Sequence, residues 1–252
     1  MKIVVIGGTG LIGSRVVRNL EARGHTAVPA SPQTGVDTVT GVGLADVLAG
    51  ADVVLDVANA PSWADDDVMA FFTTAGRNLA AAEVAAGVGH HVLVSIVGAD
   101  RLPGAGYMRA KVAQEEIAAA SGVPYTIVRS TQFFEFLGGI ADAGTDGDTV
   151  HVTPATLQPI AAEDVAALVT DAVLATPLNG IIEIAGPAAI PLSDLVTALL
   201  DADGDTRTID VDPHAGYFGA EIDDSTLTPG PNATLGRTSF QDWFQSRVGA
   251  PR

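Results

Sequence analysis

Hydrophobic and polar positions along the first half of the chain switch repeatedly between two patterns. Lys2-Ile-Val-Val-Ile6 is a continuous β-branched run ending in Gly7-Gly-Thr-Gly10, as expected of a strand buried on both faces. From Leu11 to Arg23 the apolar residues Leu11, Ile12, Val16, Val17 and Leu20 recur at helical spacing, and Gly24 stops the run. Continued exchange predicts the strand Thr26–Pro29, helix Leu44–Leu48, strand Asp52–Val57, helix Asp66–Ala86, strand His91–Ile96, helix Tyr107–Ala120 and strand Tyr125–Val128. Strands that alternate with helices require crossover connections, so the expected fold class is α/β, a doubly wound parallel sheet.

The pattern loosens beyond that point. Residues Phe133 to Pro159 are rich in Gly, Asp and Thr; a helix Glu163–Leu174, a strand Ile181–Ile184 and a helix Leu192–Leu200 follow. No Pro-rich, Ser-rich or charged linker intervenes. The expected division is therefore residues 1–132 as the doubly wound domain and 133–252 as a small C-terminal lobe packed on it.

Composition narrows the function classes. A chain of 252 residues suits one large domain or a domain with an appended lobe, and the absence of Cys excludes disulfides, thiolate metal sites and cysteine nucleophiles. The formal charge is −17, and no Lys or Arg occurs between Arg129 and Arg207, so neither nucleic acid nor an anionic membrane is an expected partner. The chain enters its first strand without a signal-peptide pattern, and no apolar run reaches the roughly 18 to 20 residues of a spanning helix. A cytoplasmic monomer or homodimer acting on a small molecule is expected.

Gly7, Gly10 and Gly13 lie between the first strand and its helix. Glycines there allow a tight turn and a close backbone approach to a pyrophosphate, at which the helix directs its positive end. After the second strand the chain reads Val28-Pro-Ala-Ser-Pro32, without the acid that ordinarily accepts the ribose 2′-hydroxyl. NADP is therefore expected in preference to NAD, with Ser31, Thr34 or Arg15 as donors to the 2′-phosphate.

Only two lysines exist, Lys2 and Lys111, and Lys111 stands four residues after Tyr107, one of three tyrosines. The spacing puts both on one helix face, where an ammonium would favour the phenolate of a side chain otherwise too weakly acidic near neutrality. Ser95 ends the apolar strand, where open sheets face their ligand, and its hydroxyl suits a substrate carbonyl oxygen.

These features resemble the short-chain dehydrogenases/reductases, specifically the atypical NmrA-like branch with its Rossmann-type fold. The likeness runs through Gly7-Gly-Thr-Gly-Leu-Ile-Gly13, Arg77 to Glu83, Gly87 to Ser95, Tyr107 to Lys111 and Leu157 to Val165. It implies an NAD(P)H-dependent oxidoreductase with Tyr107 as general acid, Ser95 orienting the carbonyl, and Lys111 activating Tyr107 and binding the ribose. It further implies that Gly7, Thr9, Gly10, Leu11, Ile12 and Gly13 embrace the pyrophosphate while Ala58 and Asn59 line the adenosine side. Phe71, Phe72 and Thr73 occupy the region where the family carries a further active-site Asn.

Trp63, Val97, Phe133 and Phe134, with Phe136 nearby, are candidates for an apolar substrate pocket. No metal site is expected: His90 and His91 are adjacent on a strand and point to opposite faces. Asp65-Asp66-Asp67 and Glu163-Asp164 read as acids at helix starts. The principal alternative is an NmrA-like redox sensor that holds NADP(H) without turnover. A nucleotide-sugar epimerase or dehydratase comes last, because it calls for a larger lobe and basic groups for a diphosphate.

Overall fold

The computed structural model describes residues 1–248. In chain order it holds β1 (Lys2–Ile6), α1 (Leu11–Ala22), β2 (Thr26–Ala30), α2 (Leu44–Leu48), β3 (Val53–Asp56), α3 (Asp65–Ala86), β4 (His90–Ile96) and α4 (Gly106–Ala120). There follow β5 (Tyr125–Ser130), α5 (Leu137–Ala143), β6 (Thr145–Asp146), β7 (Thr149–Val152), β8 (Thr156–Leu157) and α6 (Ala162–Leu174). The remainder is β9 (Gly180–Ala185), β10 (Ile190–Pro191), α7 (Leu192–Asp203), β11 (Thr208–Val211), β12 (Thr234–Leu235) and α8 (Phe240–Val248).

Seven strands form one sheet in the order β12-β9-β5-β4-β3-β1-β2. β1 pairs in parallel with β2 and β3, β3 with β4, and β9 with β12. The chain leaves β1 for β2 on one side and returns to β3 on the other, so the winding reverses between β1 and β3. This is the doubly wound, Rossmann-type α/β fold expected from the alternation, and ligands of such sheets bind outside the strand carboxyl ends at the reversal.

By its internal contacts the chain divides into two units, Met1–Arg129 with Val165–Ile182, and Ser130–Asp164 with the residues from Glu183 onward. A single cut after residue 132 would leave all of α6 in the C-terminal lobe, whereas most of that helix groups with the first unit. Residues 249–252 of the expected lobe lie outside the described residues.

In the first unit Val4, Ile6 and Val54 pack with Leu44 and Leu48 of α2 and Leu79 of α3. Ile3 and Val5, pointing the other way, are equally buried, which explains the unbroken apolar run. On that unit Arg23 of α1 donates to Asp171 of α6 at 2.6 Å. Leu93 and Ile127 pack against Ala118 of α4. Arg129, buried at the end of β5, makes a bidentate pair with Glu115 of α4 at 3.0 and 2.7 Å and reaches Asp100 at 2.8 Å. That pair fastens α4 to the sheet. His90 bonds Thr126 at 2.9 Å and His91 bonds Glu83 at 2.6 Å. Burial drives His90 down to about 4, whereas at His91 burial is the largest single effect but is outweighed by the Glu83 bond together with the negative charges of Glu83 and Asp56, which raise it.

The second unit carries more regular structure than the periodicity predicts. β7 pairs antiparallel with β6 and parallel with β11, and β8 pairs antiparallel with β10. Strands of two to four residues are too short to display a period, so the Gly-rich stretch from Phe133 to Pro159 reads as irregular. α8 is also absent from the sequence reading, although a start signal precedes it: Ser239 accepts from the Asp242 amide at 3.1 Å and donates to its carboxylate at 2.7 Å.

Candidate active site

The glycine turn joins the ends of three strands. The Gly7 amide donates to Ala30 at the end of β2 at 2.8 Å. At φ +79° a Cβ on Gly7 would stand 2.9 Å from the Ala58 nitrogen just past β3, so only glycine allows this approach. A Cβ on Gly13 would collide with the Gly7 carbonyl. The first amides of α1, including Leu11, Ile12 and Gly13, have no acceptor within the helix, and no acid stands in its first turn. Thr9, Gly10 and Leu11 are exposed, whereas Ile12 and Gly13 are buried. An anion meets amides and the positive end of α1 here.

Beyond β2, Ser31 is buried and its hydroxyl has no hydrogen-bond partner. Thr34 is committed locally, accepting from the Ser31 amide at 2.9 Å and donating to its carbonyl at 3.0 Å. The next acid along the chain, Asp37, accepts from the Val39 amide at 2.8 Å within its own loop. Arg15 donates to the Leu11 carbonyl at 2.7 Å.

Tyr107 begins α4 and meets the segment that follows β3. Its hydroxyl donates to Asn59 Oδ1 at 2.6 Å; the same oxygen accepts from the Ala60 amide at 2.9 Å. Trp63 lies against the ring at 5.2 Å between centroids, and Phe72 of α3 meets it edge-on at 5.7 Å. Burial by these groups pushes the phenol up to about 12, so the hydroxyl is a neutral donor near pH 7.

Lys111 takes a different path. It is 4% exposed, and its ammonium donates to the Val94 carbonyl of β4 at 3.0 Å and to Gln114 Oε1, while sitting 4.6 Å above the Phe72 ring. No hydrogen bond joins it to Tyr107; the Phe72 ring touches both. Burial lowers Lys111 to about 8 against the opposing charges of Asp56 and Glu115.

That depression has a measurable sign. Between pH 8 and 10.5 the unfolded chain holds a proton on Lys111 that the folded chain has released, so unfolding free energy rises with pH across this window. The gain should total about 3 kcal/mol. Urea unfolding followed from about pH 7.5 to about pH 9.5 should show the rise in the parent and lose most of it in Lys111→Met. Equal slopes in the two proteins would contradict the burial of a charge there.

The remaining candidates separate. Ser95, next to the carbonyl that anchors Lys111, is 3% exposed and its hydroxyl has no partner; Val97 is fully buried. Trp63 is exposed and joins Tyr107. Phe133 and Phe134 belong to the second unit, where Phe134 is buried against Phe240 and Trp243, with centroids 5.5 and 5.3 Å away. The sequence reading missed Asp56, Gln114 and Gln132. Gln132, also in the second unit, is buried with neither end of its amide bonded. A polar residue just past an apolar strand is a weak signal, and only its unmet bonding sets Gln132 apart.

Within the first unit the residues present fit a dinucleotide. The glycine turn offers amides to phosphates, and two buried hydroxyls, Ser31 and Ser95, await partners at the ends of β2 and β4.

A family model described as NAD(P)H-binding matches residues 7–176. Among curated proteins, the divinyl chlorophyllide a 8-vinyl-reductase of Cucumis sativus, chloroplastic, is 29% identical over 228 residues, covering 73% of this chain and 52% of that protein. The chain spans about half the length of the curated relatives it matches. Among solved structures, MoeE5 in complex with UDP-glucose and NAD aligns at a TM-score of 0.75 with 17% identity, over 98% of this chain and 97% of that one. A short-chain dehydrogenase/reductase superfamily protein from Agrobacterium tumefaciens with bound NAD gives 0.73 and 17%, over 98% and 96%. These structures share the fold.

Proposed function

The chain belongs to the NAD(P)H-binding family, and from that membership we propose that it is an NADP(H)-dependent oxidoreductase of the atypical, NmrA-like short-chain type, reducing a small apolar carbonyl or quinone-like compound. The observation that carries the reading is Tyr107: a half-buried neutral phenol with its hydroxyl held at 2.6 Å by Asn59, on the unit that bears the glycine turn.

When bound, the reduced nicotinamide supplies a hydride to the substrate carbon. The chain's own residues manage the oxygen and its proton. Tyr107, held as a donor, passes its proton to the substrate oxygen as negative charge develops there, and Ser95 offers a second hydroxyl to that oxygen. Lys111, buried on the far side of Phe72, favours the phenolate that remains through a medium of low dielectric. Solvent then restores the Tyr107 proton. Exposed Trp63 beside Tyr107 suits a flat apolar substrate. The acid-free end of β2 and the unbonded Ser31 hydroxyl support NADP over NAD.

A second reading, a dinucleotide-holding redox sensor without turnover, is favoured by one observation: the Lys111 ammonium is engaged by Val94 and Gln114 instead of Tyr107. NADPH oxidation against a panel of quinones, flavins, ketones and aldehydes separates the two. Turnover of at least one class is expected; flat traces from a protein that binds NADPH tightly would favour the sensor and sink the reductase.

A further inference from the structure

We propose that Asp56, both of whose carboxylate oxygens are committed to groups of the protein, is the positioning residue that ties the two arms of the site together, one through Asn59 to Tyr107 and the other through Gln114 to Lys111. This deepens the reductase reading and rests on it for the catalytic consequence. Asp56 is the last residue of β3 and is 4% exposed. Its Oδ1 accepts from the Ala58 amide at 3.0 Å, fixing the turn that delivers Asn59 Oδ1 to the Tyr107 hydroxyl. Its Oδ2 accepts from Gln114 Nε2 at 2.9 Å, which orients that amide so that Oε1 receives the Lys111 ammonium. One carboxylate thus sets both the direction of an amide and the conformation of a turn.

The order of donors and acceptors makes the arrangement specific. A buried carboxylate offers acceptors on both sides, and Gln114 must present nitrogen to Asp56 and oxygen to Lys111. An amide at position 56 keeps an oxygen for Ala58 but turns an NH2 toward the Gln114 NH2. Rotating Gln114 relieves that clash only by aiming its NH2 at the Lys111 ammonium. Asp56→Asn alone therefore breaks the hydrogen-bond chain wherever the amides turn. Asp56→Asn with Gln114→Glu restores it: the amide introduced on β3 accepts from Ala58 and donates to the carboxylate introduced on α4, whose other oxygen receives Lys111. The negative charge moves from β3 to α4 and its count is unchanged.

The groups facing Lys111 are Asp56 of β3, Glu115 and Gln114 of α4, the Val94 carbonyl of β4 and the Phe72 ring of α3. Glu115 is already paired with Arg129. Beyond Asp56 lies the His91–Glu83 pair, lining with Asp56 and Gln114 one small, partly open pocket. Asp56 is therefore the acid whose removal Lys111 should register.

Because the chain has only two lysines, a lysine-labelled sample gives two side-chain NMR signals, and Lys2 serves as the exposed reference. Asp56→Asn should lower the Lys111 titration, near pH 8 in the parent, by about one pH unit. It should reduce kcat for the panel substrate by about 10- to 100-fold with little change in the KM for NADPH. The double variant should return both readouts toward the parent. If Asp56→Asn does not fold, Gln114→Met cuts the same chain without altering charge and should also move the Lys111 signal downward. An unmoved Lys111 titration in whichever variant folds, or a double variant no better than the single, overturns the proposal. The lysine readout needs no substrate, so a protein that binds no NADPH yet shows the Lys111 shift and its recovery would refute the reductase reading alone.

Discussion

Tyr107→Phe is expected to lower kcat by about 10²- to 10⁴-fold, the loss typical of a positioned general acid, while NADPH binds as before. Phe keeps the ring against Trp63 and Phe72 and deletes only the hydroxyl that Asn59 holds. Asn59 is exposed and still receives the Ala60 amide, so water can take the vacated position and stability should change by under about 1 kcal/mol. A variant with an unchanged urea midpoint and greatly reduced turnover isolates the proton. Turnover retained by Tyr107→Phe would remove the general acid from the mechanism.

Arg129→Ala should cost about 3 to 5 kcal/mol of unfolding free energy, because it strands the Glu115 carboxylate in the interior. Glu115 is 5% exposed and its two oxygens take the Arg129 bonds, so no solvent is positioned to replace them. Arg129→Lys should recover little, since an ammonium cannot reproduce the planar fork that meets both oxygens. Removing both charges, in Arg129→Met with Glu115→Leu, should regain most of the loss. Urea unfolding of the parent and these variants decides it. A single-variant loss below about 1 kcal/mol would mean that the pair does not anchor α4, the helix on which both Tyr107 and Lys111 stand.

How far the site is legible in the sequence follows from where its parts lie along the chain. Gly7 to Gly13 and the strand-to-helix exchange are local patterns, and the turn and sheet follow from them. Tyr107 and Lys111 are four residues apart, so their common helix is legible as well. What each side chain touches is not. Asn59 lies 48 positions from Tyr107, and Asp56 lies 58 from Gln114, so both meetings depend on how β3 and α4 are placed by the sheet. Helical spacing suggests that Lys111 supports Tyr107 directly. The aromatic ring of Phe72, supplied by a third element, instead occupies the space between them. In the second unit the sequence pattern fails for another reason, since strands as short as Thr156–Leu157 carry no period from which to infer them.

The central claim, that the glycine turn and the acid-free β2 end hold NADP(H), is tested most directly by calorimetric titration of the purified protein with NADPH and NADH in parallel. Saturable binding of NADPH, tighter than that of NADH, is the expected result. Heats indistinguishable from dilution for both nucleotides would contradict the account, because the turn would then serve only to join β1 to α1.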